Sequence, residues 1–171
     1  MREGTGLRIG VMGAGECSQE IYALAEETGR LIARHHAVLI CGGRGGVMEA
    51  AAKGAKSEGG LTIGILPEAD TSRMNPYIEV PIVTGMGNAR NVINVLSSQA
   101  VIAISGGFGT LSEVAIALKC GVPVVGLRTW QLASELEPAV GPDLLQLVQT
   151  PEEAVTQAIR LAGLRQRGGP S

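Results

Sequence analysis

The segment Gly106-Gly107-Phe108-Gly109-Thr110-Leu111-Ser112-Glu113 gathers the residues of this chain best suited to chemistry. It follows an apolar run at 100–105 (AVIAIS) and leads into a stretch of helical spacing, so it reads as a strand–turn–helix junction. Glycines there let the backbone come close to a ligand. The helix start adds unpaired N–H groups and partial positive charge, which together make a site for an anion such as phosphate. Thr110 stands where an N-cap or first-turn hydroxyl can bond a phosphate oxygen, and Glu113 follows one helical turn later on the same face. Two readings of that pair stay open. It can be a capping box, in which both side chains satisfy backbone donors. Alternatively, the hydroxyl serves the phosphate and the carboxylate faces another part of the ligand, such as a ribose hydroxyl or a reacting anomeric carbon.

Two further strand ends carry glycine: Gly13-Ala14-Gly15 after residues 7–12, and Gly42-Gly43-Arg44-Gly45-Gly46 after residues 37–41. One such turn can be explained by tight packing, and Gly13 to Gly15 can be packing only. Several on one sheet edge point to a ligand cleft, because parallel sheets bind ligands at the carboxyl ends of their strands. Neither a GxGxxG turn paired with an acidic residue on the second strand nor a GxxxxGK[ST] loop is present, which argues against dinucleotide and P-loop sites. A GxSxG elbow is also missing. His35-His36 has no third ligand at metal spacing, and no metal site is expected.

The elements that must position these turns alternate regularly. Strands are expected at 7–12, 37–41, 61–66, 81–84, 100–105 and 122–127, with a weaker apolar run at 142–150. Helices are expected at 18–35, 47–57, 88–98 and 110–120, and from Pro151 onward. In the helix at 88–98, Val92, Val95 and Leu96 form the expected apolar face. Residues 67–79 read as a surface loop. This order implies right-handed βαβ crossovers and an α/β fold: a single Rossmann-like three-layer α/β/α domain with a mainly parallel sheet. The domain is expected to fill 1–171, with a core of about 7–163 and a flexible tail at 164–171.

Composition narrows the function classes. A net charge of −2 argues against a protein that binds nucleic acid by neutralising phosphates. Four aromatic residues, Tyr22, Tyr77, Phe108 and Trp130, are too few for a base-stacking platform. Cys17, Cys41 and Cys120 form no CxxC pair and fit reduced thiols, with Cys41 in the core. No signal peptide or membrane-spanning run is evident, so the expected setting is cytoplasmic, without membrane association.

Residues 41–67, CGGRGGVMEAAAKGAKSEGGLTIGILP, coupled with residues 105–127, SGGFGTLSEVAIALKCGVPVVGL, resemble the LONELY GUY (LOG) or "lysine decarboxylase-like" superfamily. The wording GMGNARNVINVLSSQAVIAISGGFGT is similar to its molybdenum cofactor carrier protein branch. The resemblance covers roughly residues 8–127. It implies a Rossmann-like fold and a homo-oligomer, dimer or tetramer. Enzymes of that superfamily are phosphoribohydrolases that cleave the N-glycosidic bond of nucleoside 5′-monophosphates. Nothing here resembles the pyridoxal phosphate lysine site that the decarboxylase label would require. Their PGGxGTxxE motif, a phosphate loop with a catalytic Glu, matches Gly106 to Glu113 with Ser105 in place of Pro. The Arg of their Arg-Lys pair matches Arg90, which is followed here by Asn91.

Losing that lysine favours the carrier-like branch. The resemblance therefore implies a protein that binds a phosphorylated nucleotide-like molecule through Gly42, Gly43, Arg90, Gly106, Gly107, Gly109 and Thr110. No cofactor is required, although a molybdenum cofactor or nucleotide can be the bound ligand. The alternative is a phosphoribohydrolase in which Glu113 and Arg90 are catalytic.

Overall fold

The computed structural model describes residues 6–130 and 144–167. In chain order they form β1 (Arg8–Gly13), α1 (Gln19–Arg34), β2 (Val38–Cys41), α2 (Val47–Ser57), β3 (Thr62–Leu66) and β4 (Val80–Val83). A 3-10 turn (Gly87–Arg90) then leads into α3 (Asn91–Ser97), followed by β5 (Ala100–Ile104), α4 (Phe108–Lys119), β6 (Val124–Leu127), β7 (Leu145–Val148) and α5 (Pro151–Arg167). The strands make one seven-stranded sheet in the order β4-β3-β2-β1-β5-β6-β7, and every pairing is parallel. Strand order reverses between β1 and β5, which opens a crevice above their carboxyl ends.

Both faces of the sheet are covered, as the near-continuous apolar strands require. Ile9, Val11, Ile102 and Ile104 point into a core closed by α1, α2 and α5. Met12, Val101 and Ala103 point the other way, into a core shared with α3 and α4. The period of two along each strand thus separates two apolar layers, giving the expected three-layer α/β/α arrangement. Helices α1 and α2 pack very closely: a Cβ on Gly29 would stand 1.9 Å from the Ala51 carbonyl oxygen, so only glycine fits.

Several boundaries differ from the sequence expectation. The weak apolar run contains a true edge strand, β7, paired with β6. Helix α5 continues to Arg167, so residues 164–167 are helical, while 168–171 lie outside the described residues. The expected apolar face of α3 is also turned. Asn91, Asn94, Val95 and Ser98, at i, i+3, i+4 and i+7, are buried, whereas Val92 and Leu96 are exposed at 42% and 55%. Hydrogen bonds to α4 make burial of the asparagines tolerable, and they orient the helix against its apolar side chains.

Candidate functional site

A cavity of about 650 Å³ lies above the sheet where strand order reverses. Its walls come from all three glycine turns, including Gly13 and Gly15, Gly42 and Gly45, and Gly107 and Gly109. Thr110, Glu113 and Arg90 complete it, so side chains far apart in sequence converge on one space.

Helix α4 begins at Phe108, earlier than the expected Thr110, and its N-cap is Gly107, which supplies no side-chain hydrogen bond. Thr110 therefore sits in the first turn rather than at the cap. It is buried and faces the cavity, and among the described residues its hydroxyl takes no protein partner. The helix start thus keeps its partial positive charge and first-turn donors turned toward open space. Gly106 adopts φ +130°, and a Cβ there would lie 2.7 Å from the Thr110 Cβ. Glycine at 106 is what lets the strand turn into the helix with Thr110 in place.

Thr110 and Glu113 do not form a capping box. The Glu113 carboxylate instead accepts from Asn94 Nδ2 at 2.9 Å and from Arg90 Nη1 at 3.4 Å. A reciprocal box does form at α5, where Thr150 Oγ1 accepts from the Glu153 amide and Glu153 accepts from the Thr150 amide, both at 3.2 Å. The same T-x-x-E spacing thus has two outcomes, decided by what faces the carboxylate.

Arg90 is nearly buried, at 8% exposure, at the junction of the 3-10 turn and α3. Its Nη1 also donates to the Asn91 side-chain oxygen, and Asn91 Nδ2 donates to Ser112 Oγ at 2.9 Å. Ser112 Oγ donates in turn to the Gly109 carbonyl at 2.7 Å. One polar chain therefore runs from the glycine turn to Glu113. Among the described residues, Arg90 Nε in this chain and Oδ1 of Asn94 beside it are buried without a hydrogen-bond partner.

Burial dominates the electrostatics. Removal from water pushes the Glu113 carboxyl above the ordinary carboxylate range, against the lowering effects of the Asn94 hydrogen bond and the Arg90 charge. The same loss of hydration lowers the affinity of Arg90 for its proton, opposed by Glu113. Each charge is desolvated more than its partner compensates, as is common for buried pairs. An incoming anionic group would offer Arg90 a second counter-charge.

The remaining expected residues divide. Gly42 lines the cavity, and a Cβ there would lie 2.6 Å from Arg90 Nη2, so this glycine leaves room for the guanidinium. Gly43 does not line the cavity. It adopts φ +73°, and its amide donates to Cys41 Sγ at 3.4 Å. Gly106 also lies behind the wall, whereas Gly107 and Gly109 form part of it. Cys41 is fully buried, with its thiol pushed up to about 12 by desolvation, which fits a core role.

Sequence reasoning missed Asn94, Ser112 and Arg73, the last on the 67–79 loop and lining the cavity. That loop is anchored by Asn75, whose Nδ2 donates to the Arg44 carbonyl at 2.9 Å. The i, i+3 spacing of Asn91 and Asn94 is the signal that could have marked a polar buried face. Among the described residues no cluster of His, Cys, Asp or Glu suits a metal, and no helix is long and apolar enough to cross a membrane.

Comparisons with known proteins agree with the fold. A relative from Archaeoglobus fulgidus, called only an uncharacterized protein, is 50% identical over 153 residues, covering 90% of this chain and 95% of the relative. The molybdenum cofactor binding protein of Rippkaea orientalis superposes with a TM-score of 0.82 at 45% identity, covering 94% of this chain and 97% of that one. The molybdenum cofactor carrier protein of Chlamydomonas reinhardtii superposes with a TM-score of 0.83 at 41% identity, over 92% and 99% of the two chains. Residues 6–155 match the model of the SLOG cluster4 family, and the chain belongs to that family.

Proposed function

We propose that this chain is a binding protein that holds a phosphorylated, nucleotide-like small molecule, with the phosphate at the start of α4. The observation that carries this reading is the α4 N-terminus. Its cap is a glycine without a side-chain bond, it faces the cavity, and the largely buried Thr110 beside it, which lines the cavity, has a hydroxyl with no protein partner among the described residues. The amides of Gly107 and Gly109 and the Thr110 hydroxyl would take the phosphate oxygens. Arg90, which lines the cavity, would add a charge-assisted bond through its guanidinium. Similarity to a molybdenum cofactor carrier and a molybdenum cofactor binding protein makes that phosphorylated pterin the favoured cargo.

A second reading has an observation of its own. Glu113 stands buried on the cavity wall, hydrogen-bonded to Arg90 and Asn94, a placement that would also suit a carboxylate supporting an oxocarbenium-like centre. Under it the chain is a nucleoside 5′-monophosphate phosphoribohydrolase, with Glu113 and Arg90 catalytic. Incubating pure protein with AMP and assaying free adenine and ribose 5-phosphate separates the two. Carrier function predicts bound and intact AMP; turnover lost in Glu113→Gln overturns it. Self-association belongs to the same proposal, with exposed Val92 and Leu96 of α3 as apolar side chains available to a second copy. Light scattering tests that part.

A further inference from the structure

Among the described residues, three that are not glycine adopt a positive φ: His36, Ser105 and Arg128. His36 follows the cap of α1, where chains commonly turn left-handed. Ser105 (φ +48°) and Arg128 (φ +52°) have no helix end to account for them. They directly follow β5 and β6, which pair in the sheet, so the two turns lie side by side at its carboxyl edge. Side chains resist this backbone region, and residues persist in it only where surrounding contacts hold them.

The contacts that hold Ser105 come from β6 and the residues after it. Its amide donates to the Leu127 carbonyl at 3.1 Å, and its carbonyl accepts from Thr129 Oγ1 at 2.9 Å. Both backbone groups of one strained residue are thus tied to the neighbouring strand end. The second bond needs Thr129 to fold back over β6. Arg128 supplies the turn and Gly126 the room, since a Cβ on that glycine would stand 2.5 Å from Thr129 Cγ2. Arg128 itself adds only a solvent-exposed ion pair, with Glu20 at 3.5 Å.

The Ser105 carbonyl shares its peptide with the Gly106 amide. That peptide is trans, so holding the carbonyl toward Thr129 turns the amide the opposite way. It also fixes the direction from which Gly106, at φ +130°, leads into the Gly107 cap of α4. Resting on the phosphate site proposed at α4, we propose that Thr129 is a positioning residue for that site. Its hydroxyl holds the left-handed turn at Ser105, and through that turn it aims the Gly107 and Gly109 amides and the Thr110 hydroxyl at the phosphate. Thr129 acts from outside the cavity, whose wall it does not form.

Inorganic phosphate is the probe. Amide chemical shifts of the uniformly labelled chain are followed through a phosphate titration for wild type, Thr129→Val and Thr129→Ser. Valine keeps the shape and removes the hydroxyl, whereas serine keeps the hydroxyl. In Thr129→Val the Gly106–Thr110 amides should be displaced before any phosphate is added. Half-saturation should then need about fivefold more phosphate, the size of one hydrogen bond whose turn binding must restore. Thr129→Ser should titrate like wild type. Dispersed spectra show that each variant is folded, and Thr129→Ala takes the place of a valine variant that is not. Wild-type affinity in a folded protein lacking the hydroxyl, or an equal loss in Thr129→Ser, overturns the positioning role and leaves the α4 site standing. A wild type whose Gly107–Thr110 amides do not respond overturns the α4 reading, and the role of Thr129 with it.

Discussion

Arg90 Nη1 lies 3.4 Å from Glu113 Oε1, across the gap between α3 and α4, and both side chains are almost wholly removed from water. Neither charge fully compensates the other, because each loses more hydration than the pair regains. That imbalance gives the site a pH signature. A carboxyl whose folded affinity for a proton exceeds its unfolded affinity binds more protons in the native state, so stability falls as pH rises through the interval between the two values. The stability difference between wild type and Glu113→Gln should therefore change across the interval just above the ordinary carboxylate range, with wild type losing ground as pH rises. Above that interval the difference should be flat. Denaturant melts of both proteins at several pH values check this; a difference independent of pH throughout contradicts it.

Gly109 is a helix residue that borders the cavity, and a Cβ added to it would meet nothing within 4 Å. Alanine is the better helix former, so Gly109→Ala should leave the fold unharmed or stabilise it by up to about 1 kcal/mol. It should also weaken binding of phosphorylated ligands, because the methyl crowds the phosphate. Unfolding and binding measured on the same preparation test the pair of effects. Unaltered binding would show that this glycine does not border the ligand.

Gly42→Ala makes a complementary case. The new Cβ would come within 2.6 Å of Arg90 Nη2 and 2.8 Å of Met48 Sδ, both at the ends of flexible side chains. They can move, so the fold should survive while Arg90 is displaced. Affinity for a phosphorylated ligand should drop about tenfold, as expected on losing one charge-assisted bond. Calorimetry gives the number.

Thr150→Ala removes a cap far from the cavity and should cost about 1 kcal/mol of stability with binding unchanged. It is the control for Thr110, which shares the T-x-x-E spacing and has a different role.

The fold is largely legible in the sequence. Apolar runs bounded by glycine or proline mark most of the strands well, and the alternation of elements implies the parallel three-layer sheet. Strand β7 is only a weak run, because it is an edge strand whose last three residues are partly exposed. The site is legible where backbone geometry demands particular residue types: Gly106 with its positive φ, Gly107 at the cap, and Thr110 behind them. What stays hidden depends on which face of α3 is buried. Val95 is buried as expected, but Val92 and Leu96 are not, because hydrogen bonds from Asn91 to Ser112 and from Asn94 to Glu113 hold the asparagine face against α4. Such tertiary pairings cannot be read from the spacing of one helix. Arg73 is hidden for a related reason, since a loop without periodicity gives no hint of where its side chains converge.

The phosphate site is tested most directly by the dissociation constant for AMP, measured by calorimetry on wild type and Thr110→Val. Valine keeps the volume of the buried side chain and removes only the hydroxyl. A phosphate site at the start of α4 predicts measurable binding in the wild type and a loss of roughly tenfold in the variant, the size of one hydrogen bond to a charged group. Equal constants for the two proteins, or no binding by either, would contradict a phosphate site at the start of α4.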